Sequence, residues 1–303
     1  MLAVLPDHAL RTAIGFADHH AFDYPWLVLT AYGLVRTTEW PDVRATGQVF
    51  ATGCLAVGIA GQVLAWEAGP LLIVPVGIFT ALSAILLVAT DSEPVRSHAP
   101  VLFGTGLASG LAWLAHSELG WHTDLAASSP GLLFAGVLVV TVLAELFVRA
   151  GLSARSFSIA AAVGGVGAVG AAFSLLPDLD QTLSNRLDFL LNTQGIAETG
   201  SLVQGDLGLI VSPIFWFGLA LFLAVPYLVW ITVTAVRRPR PGWLVPSTYA
   251  GFFLALALIQ VRFSGEAAAF VAVFAGIGFV HLLSVVDGTE TVPAILKSER
   301  DSA

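Results

Sequence analysis

Three groups of polar residues in an otherwise apolar chain have the types and spacing to do chemistry. The first is GFADHHAFDY, residues 15–24, where Asp18, His19, His20 and Asp23 crowd ahead of an apolar stretch. A carboxylate and an imidazole two positions apart can reach one divalent cation if the backbone is extended or looped. On a helix the same pair points about 200° apart, so a shared metal requires a non-helical stretch. Short Asp/His clusters are common, so by spacing alone a solvated polar cluster beside a membrane is the favoured reading over a metal site. The second is Glu198 in GIAETGSLVQGD, which by itself reads as an exposed loop carboxylate. The third is Arg262, which ends the run GFFLALALIQVRF. A guanidinium among aromatics at a membrane edge either snorkels to headgroups or binds a phosphate-bearing ligand.

The other ionisable residues have plainer readings. Glu145 stands one turn before Arg149, an i,i+4 pair that needs no function. His116, His122 and Asp124 flank one loop and read as a solvated polar cluster, and His281 as a satisfied interfacial histidine. Cys54 is the single cysteine, which excludes a disulfide framework and a thiolate zinc site. No HExxH sequence occurs, which excludes that metalloprotease class.

The elements that must position these residues are membrane helices. Hydrophobic residues make up 56% of the 303 positions and charged residues 11%, and mean hydropathy is +0.84. A soluble protein carries about 25% charged residues, so a soluble enzyme and a disordered chain are both excluded. Apolar blocks of about 20 residues match a hydrocarbon layer about 30 Å thick. The fold class is therefore an all-α membrane protein, a polytopic bundle of about nine transmembrane helices with no soluble domain. The expected spans are approximately 22–36, 46–66, 70–90, 100–116, 131–149, 157–176, 207–235, 244–261 and 267–286. Pro213 and Pro226 predict a kink in the seventh. Gly164, Gly165, Gly167 and Gly170 predict close helix packing in the sixth.

If nine spans alternate, ten of the 13 basic residues fall on one side and only Arg11, Arg186 and Arg262 on the other. The positive-inside rule then places the N-terminus outside and the C-terminus in the cytoplasm. Residues 1–286 form the expected transmembrane domain and 287–303 a short cytoplasmic tail. The segment 1–21 and the long loop 177–206 lie on the outer face, and MLAVLPDHALR lacks the pattern of a signal peptide. A formal charge of −8 argues against nucleic acid as a partner. The same topology puts Asp18, His20, Glu198 and Arg262 at one membrane edge, although they come from distant parts of the chain. A cation, carboxylates and an arginine together suit an anionic, lipid-linked substrate.

These residues resemble the transmembrane part of the archaeal oligosaccharyltransferases, single-subunit relatives of the eukaryotic catalytic subunit. GFADHHAFDY looks like the family's second acidic motif, which reads Asp-His-His in archaeal members. LAWEAGPLLIVPVGIF resembles a Trp-Gly-rich span that follows it. GIAETGSLV stands where the family has a short motif ending in glutamate, within its long fifth external loop, although it departs from the common Thr/Ser start. LIQVRFSGEAAAFVAVFAGIGF resembles a late span bearing an arginine.

The resemblance implies a GT-C-like membrane enzyme that moves a glycan from a dolichyl phosphate or diphosphate carrier to asparagine in Asn-x-Ser/Thr, that is, protein N-glycosylation. It implies Mn²⁺ or Mg²⁺ as cofactor, held by Asp18, His20 and Glu198. Asp18 and Glu198 would be the catalytic carboxylates, with His19 near the donor phosphate, Arg262 on the carrier phosphate, and Glu198 also on the acceptor amide. The partners implied are the lipid-linked oligosaccharide and an acceptor protein. Only 17 residues precede Asp18, and neither the family's earlier aspartate-bearing spans nor its Trp-Trp-Asp-Tyr-Gly motif is present. A second chain supplying missing spans is a further expected partner. The alternative to a transferase is a non-catalytic membrane subunit that binds the lipid carrier. A transporter would show internal repeats and mid-membrane charges, and neither is evident.

Overall fold

The computed structural model describes residues 1–2, 5–12, 20–38, 45–66, 68–120, 123–175, 200–203 and 208–286. All regular elements among them are helical: α1 Pro6–Arg11, α2 His20–Thr38, α3 Ala45–Ala65, α4 Gly69–Leu72, α5 Val74–Ala89, α6 Pro94–Leu119, α7 Asp124–Arg149, α8 Ala154–Leu175, α9 Gly208–Phe217, α10 Ala220–Arg237, α11 Pro241–Ile259, a 3₁₀ turn Val261–Phe263, and α12 Ser264–Val286. Each of the nine expected spans falls on a helix or on two successive ones. Six helical segments among the described residues are long and apolar enough to cross a membrane, with α4 and α5 counted as one. The chain is a multi-pass membrane protein. The tail 287–303 lies outside the described residues.

The expected seventh span is two helices. Pro213 lies inside α9 and Pro226 inside α10, whereas the break is at Gly218, whose φ of 64° is left-handed. Glycine reaches that conformation without the steric cost other residues meet, so it ends α9 where a proline tolerated by its neighbours does not. The glycines of α8 were expected to pack closely, but among the described residues a β-carbon added at Gly164, Gly165, Gly167 or Gly170 meets nothing within 4 Å. The close approaches are made by isolated glycines. A β-carbon at Gly33 would lie 2.7 Å from the Leu55 backbone nitrogen, and one at Gly278 would lie 2.8 Å from Leu223 and Tyr227.

The chain divides into two units. One comprises Asp18–Gln194 and Ala235–Thr248. Its core is built on Leu27, Leu34, Leu55, Ile59 and Val63, all fully buried. Neutral polar groups stitch its helices: Gln62 of α3 donates to the Trp26 carbonyl (3.1 Å) and to the Thr30 hydroxyl of α2. His98 of α6 is bonded at Nε2 to Ser83 of α5 (2.9 Å) and at Nδ1 to Thr141 of α7 (3.0 Å). A cavity of ≈ 240 Å³ in this unit is lined in part by Thr37, Ser83, Ser97 and His98.

The other unit comprises Met1–Ala17, Gly195–Thr234 and Tyr249–Ala303. Tyr249 and Phe253 of α11 pack on Phe270 of α12, with the Tyr249 and Phe270 rings 4.7 Å apart. His281 accepts or donates one hydrogen bond with the Tyr227 hydroxyl at 2.7 Å, as a satisfied interfacial histidine should.

Candidate functional site

Arg262 sits on the junction between α11 and α12, and the local sequence explains why a turn forms there. Gln260 is extended (φ −136°, ψ 121°), which stops α11 at Ile259, and Val261–Phe263 make one 3₁₀ turn before α12 starts at Ser264. The carbonyls at a helix end have no intrahelical partner and must find one elsewhere. Here residues 200–203 supply them. The Leu202 N–H donates to the Ala257 carbonyl (3.0 Å), the Ser201 hydroxyl to the Leu258 carbonyl, and the Val261 N–H to the Gly200 carbonyl (2.7 Å). The chain just beyond Glu198 is thereby docked on the residue just before Arg262. Leu202 is buried beneath this contact.

A second segment grips the same junction from the other side of the sequence. Helix α1 opens with Pro6 at its first position, carries Asp7 in its first turn and ends on Arg11, an arrangement that suits a short helix and its dipole. Asp7 is 1% and Arg11 2% exposed. The Arg11 Nε donates to Asp7 Oδ1 at 3.0 Å, and the Ser264 hydroxyl donates to Asp7 Oδ2 at 2.9 Å. Ser264 also lies within hydrogen-bond distance of the Val261 carbonyl. Glu266, one turn into α12, is fully buried. Burial pushes the Asp7 carboxyl above its ordinary value, opposed by the Arg11 charge and by the Ser264 and Arg11 hydrogen bonds. Burial also lowers the His8 imidazole, opposed by the neighbouring Asp7 charge.

The Arg262 guanidinium lies 5.0 Å from the centroid of the Phe263 ring, a cation–π distance that restrains its swing. A planar guanidinium on a fixed turn is the group best suited to two-point contact with a phosphate.

Of the residues singled out in the sequence, Arg262 is described in full. His20 is the first residue of α2. Asp18, His19 and Glu198 lie outside the described residues, as does most of the loop 177–206. Among the described residues no three His, Cys, Asp or Glu side chains gather as metal ligands. Glu145 and Arg149 pair at 2.8 Å as expected. His116 and Asp124, read as merely solvated, form a direct pair at 2.8 Å. Asp7, Arg11 and Ser264 were not singled out. The i,i+4 spacing of acid and base in PDHALR is the one local sign of the first two, and nothing local marks Ser264.

No protein-family model and no curated protein sequence matches the chain. Its fold, however, matches solved structures of the oligosaccharyltransferase AglB from the archaeon Archaeoglobus fulgidus. One holds an inhibitory peptide and a dolichol-phosphate, with a TM-score of 0.77 at 15% identity. The apo form gives 0.76, and a form tethered through a disulfide to an acceptor peptide with the NVT sequon gives 0.72, both also at 15% identity. Each match covers 94% of this chain. The chain spans only 36%, 36% and 35% of those three structures. The shared fold is thus that of part of the archaeal enzyme.

Proposed function

We propose that the chain is the membrane part of an oligosaccharyltransferase-like glycosyltransferase, moving a glycan from a dolichyl phosphate or diphosphate to the asparagine of Asn-x-Ser/Thr. The observation that carries this reading is the docking of Gly200–Val203 on the α11–α12 junction. Gly200 follows Glu198 by two positions in the sequence, and the junction bears Arg262. Glu198 and Arg262 are the two residues to which the resemblance assigns the acceptor amide and the carrier phosphate. The likeness of fold to AglB supports the same reading.

The proposed roles follow from the chemistry. An amide nitrogen is a poor nucleophile because its lone pair is conjugated. The Glu198 carboxylate accepts hydrogen bonds from the amide, orients it and weakens that conjugation. The bond from the sugar's anomeric carbon to the phosphate oxygen breaks, the carbon–nitrogen bond forms, and the amide nitrogen loses a proton. Negative charge develops on the departing phosphate, and Arg262 meets it, with His19 nearby. Asp18, His20 and Glu198 would hold the divalent ion. Two carboxylates and an imidazole are a donor set that Mn²⁺ accepts readily and Mg²⁺ accepts through its oxygens. When bound, the ion supplies Lewis-acid stabilisation of the leaving phosphate. The site faces the extracytoplasmic side and the C-terminus the cytoplasm, by the distribution of basic residues.

The test is transfer itself. Purified protein, a lipid-linked glycan, an Asn-x-Thr peptide and Mn²⁺ are combined, with and without a chain supplying the remaining parts of the archaeal enzyme, and glycopeptide is read by mass spectrometry. Transfer that disappears in Glu198→Gln is the expected result. Carrier binding without transfer under every condition would leave a lipid-binding subunit in place of a transferase.

A further inference from the structure

The junction that bears Arg262 is held by an ionic group that the proposed chemistry does not use. We propose that Asp7 is a positioning residue: acting through Ser264, it fixes the 3₁₀ turn so that Arg262 keeps the orientation in which it meets a polyprenyl phosphate. This rests on the phosphate-binding reading of Arg262 given above.

The geometry carries the argument. The Ser264 hydroxyl has one proton and two acceptors in range, the Asp7 carboxylate and the Val261 carbonyl. A carboxylate is a stronger acceptor than a carbonyl, so Asp7 competes with Val261 for that proton and draws Ser264 toward α1. Ser264 is two residues after Arg262, and Val261 is one before it. A shift of the hydroxyl therefore moves the turn on which Arg262 stands. Asp7 is 257 positions away in sequence, so this restraint is purely tertiary.

Stability alone does not account for the ion pair. Buried pairs of this kind can usually be replaced by apolar residues of similar volume without loss, while removal of one partner is strongly destabilising. What an apolar pair cannot do is accept the Ser264 proton. Arg11 has the complementary role of keeping the Asp7 carboxylate charged in a buried position, where desolvation alone would favour the neutral acid. Glu266 and His8 also act electrostatically with Asp7, Glu266 disfavouring its ionised form.

The experiment measures equilibrium binding of dolichyl phosphate to the purified full chain in phosphatidylcholine nanodiscs, alongside the thermal midpoint of each variant. Arg262→Ala should weaken binding about tenfold or more. Ser264→Ala and the paired replacement Asp7→Leu/Arg11→Met should each weaken it severalfold, with the paired replacement melting no lower than wild type. Ser264→Ala combined with Arg262→Ala should bind no worse than Arg262→Ala alone, because the two act in series. Wild-type binding in Ser264→Ala and in the paired replacement, while Arg262→Ala is impaired, would overturn the positioning role and leave the phosphate reading standing. Losses that multiply in the combined variant would overturn it too. Wild-type binding in Arg262→Ala would overturn the phosphate reading, and the positioning role with it.

Discussion

Two of the buried polar networks among the described residues are built from different chemistry. In the unit containing α2–α8, His98 is 2% exposed and is bonded on both nitrogens to neutral hydroxyls of flanking helices. In the unit containing α1 and α12, Asp7 and Arg11 are equally buried and pair as acid and base at 3.0 Å. A neutral buried hydrogen bond contributes about 1 kcal/mol net, whereas a buried ion pair first pays several kcal/mol of desolvation per ion. The contrast shows that burial depth does not identify a functional network. The neutral network joins three helices and borders a cavity. The charged one ends on the turn that presents Arg262.

This comparison can be broken or sharpened by mutation. The largest effect is expected from splitting the ion pair: Asp7→Leu alone, or Arg11→Met alone, should cost about 3–5 kcal/mol, and the paired replacement should recover all of it. Thermal unfolding in detergent measures this, and additive single losses would mean that the two residues do not act as a pair. Next, His98→Leu should cost about 1–3 kcal/mol by orphaning the Ser83 and Thr141 hydroxyls, with no change in dolichyl phosphate affinity. A change in affinity there would erase the distinction between the two networks. Gly33→Ala should cost about 1–3 kcal/mol because its β-carbon meets the Leu55 backbone, while Gly167→Ala should be neutral or slightly stabilising. The smallest effect is expected for Glu145→Gln. Arg149 is 74% exposed, so the pair is worth less than about 0.5 kcal/mol, and an unfolding midpoint indistinguishable from wild type is the result to look for.

How far the sequence foretells these features depends on whether the signal is local. Hydropathy blocks are local, and each expected span coincides with helix. Arg262 was legible because a guanidinium interrupts an apolar run. The break at Gly218 was masked by Pro213 and Pro226, whose helix-breaking tendency is strong in water. A proline removes one backbone donor and leaves the preceding turn room to adjust, so a helix with good neighbours passes through it. A left-handed backbone cannot be passed through. The α8 glycines failed in the opposite direction, since a small-residue pattern says that close packing is allowed and not that a partner is present. Ser264 was invisible because its partner is at the far end of the chain. Asp18, His19 and Glu198 lie outside the described residues, so their assignment still stands on the resemblance.

The joint at Gly218 has one more consequence. A β-carbon there would lie 3.7 Å from the Pro6 ring, so alanine would just touch it and any larger side chain would collide. The first residue of α1 thus rests in a notch left by the missing side chain. A side chain there would press on α1 one residue ahead of Asp7, so the missing β-carbon bears on the ion pair as well as on the end of α9.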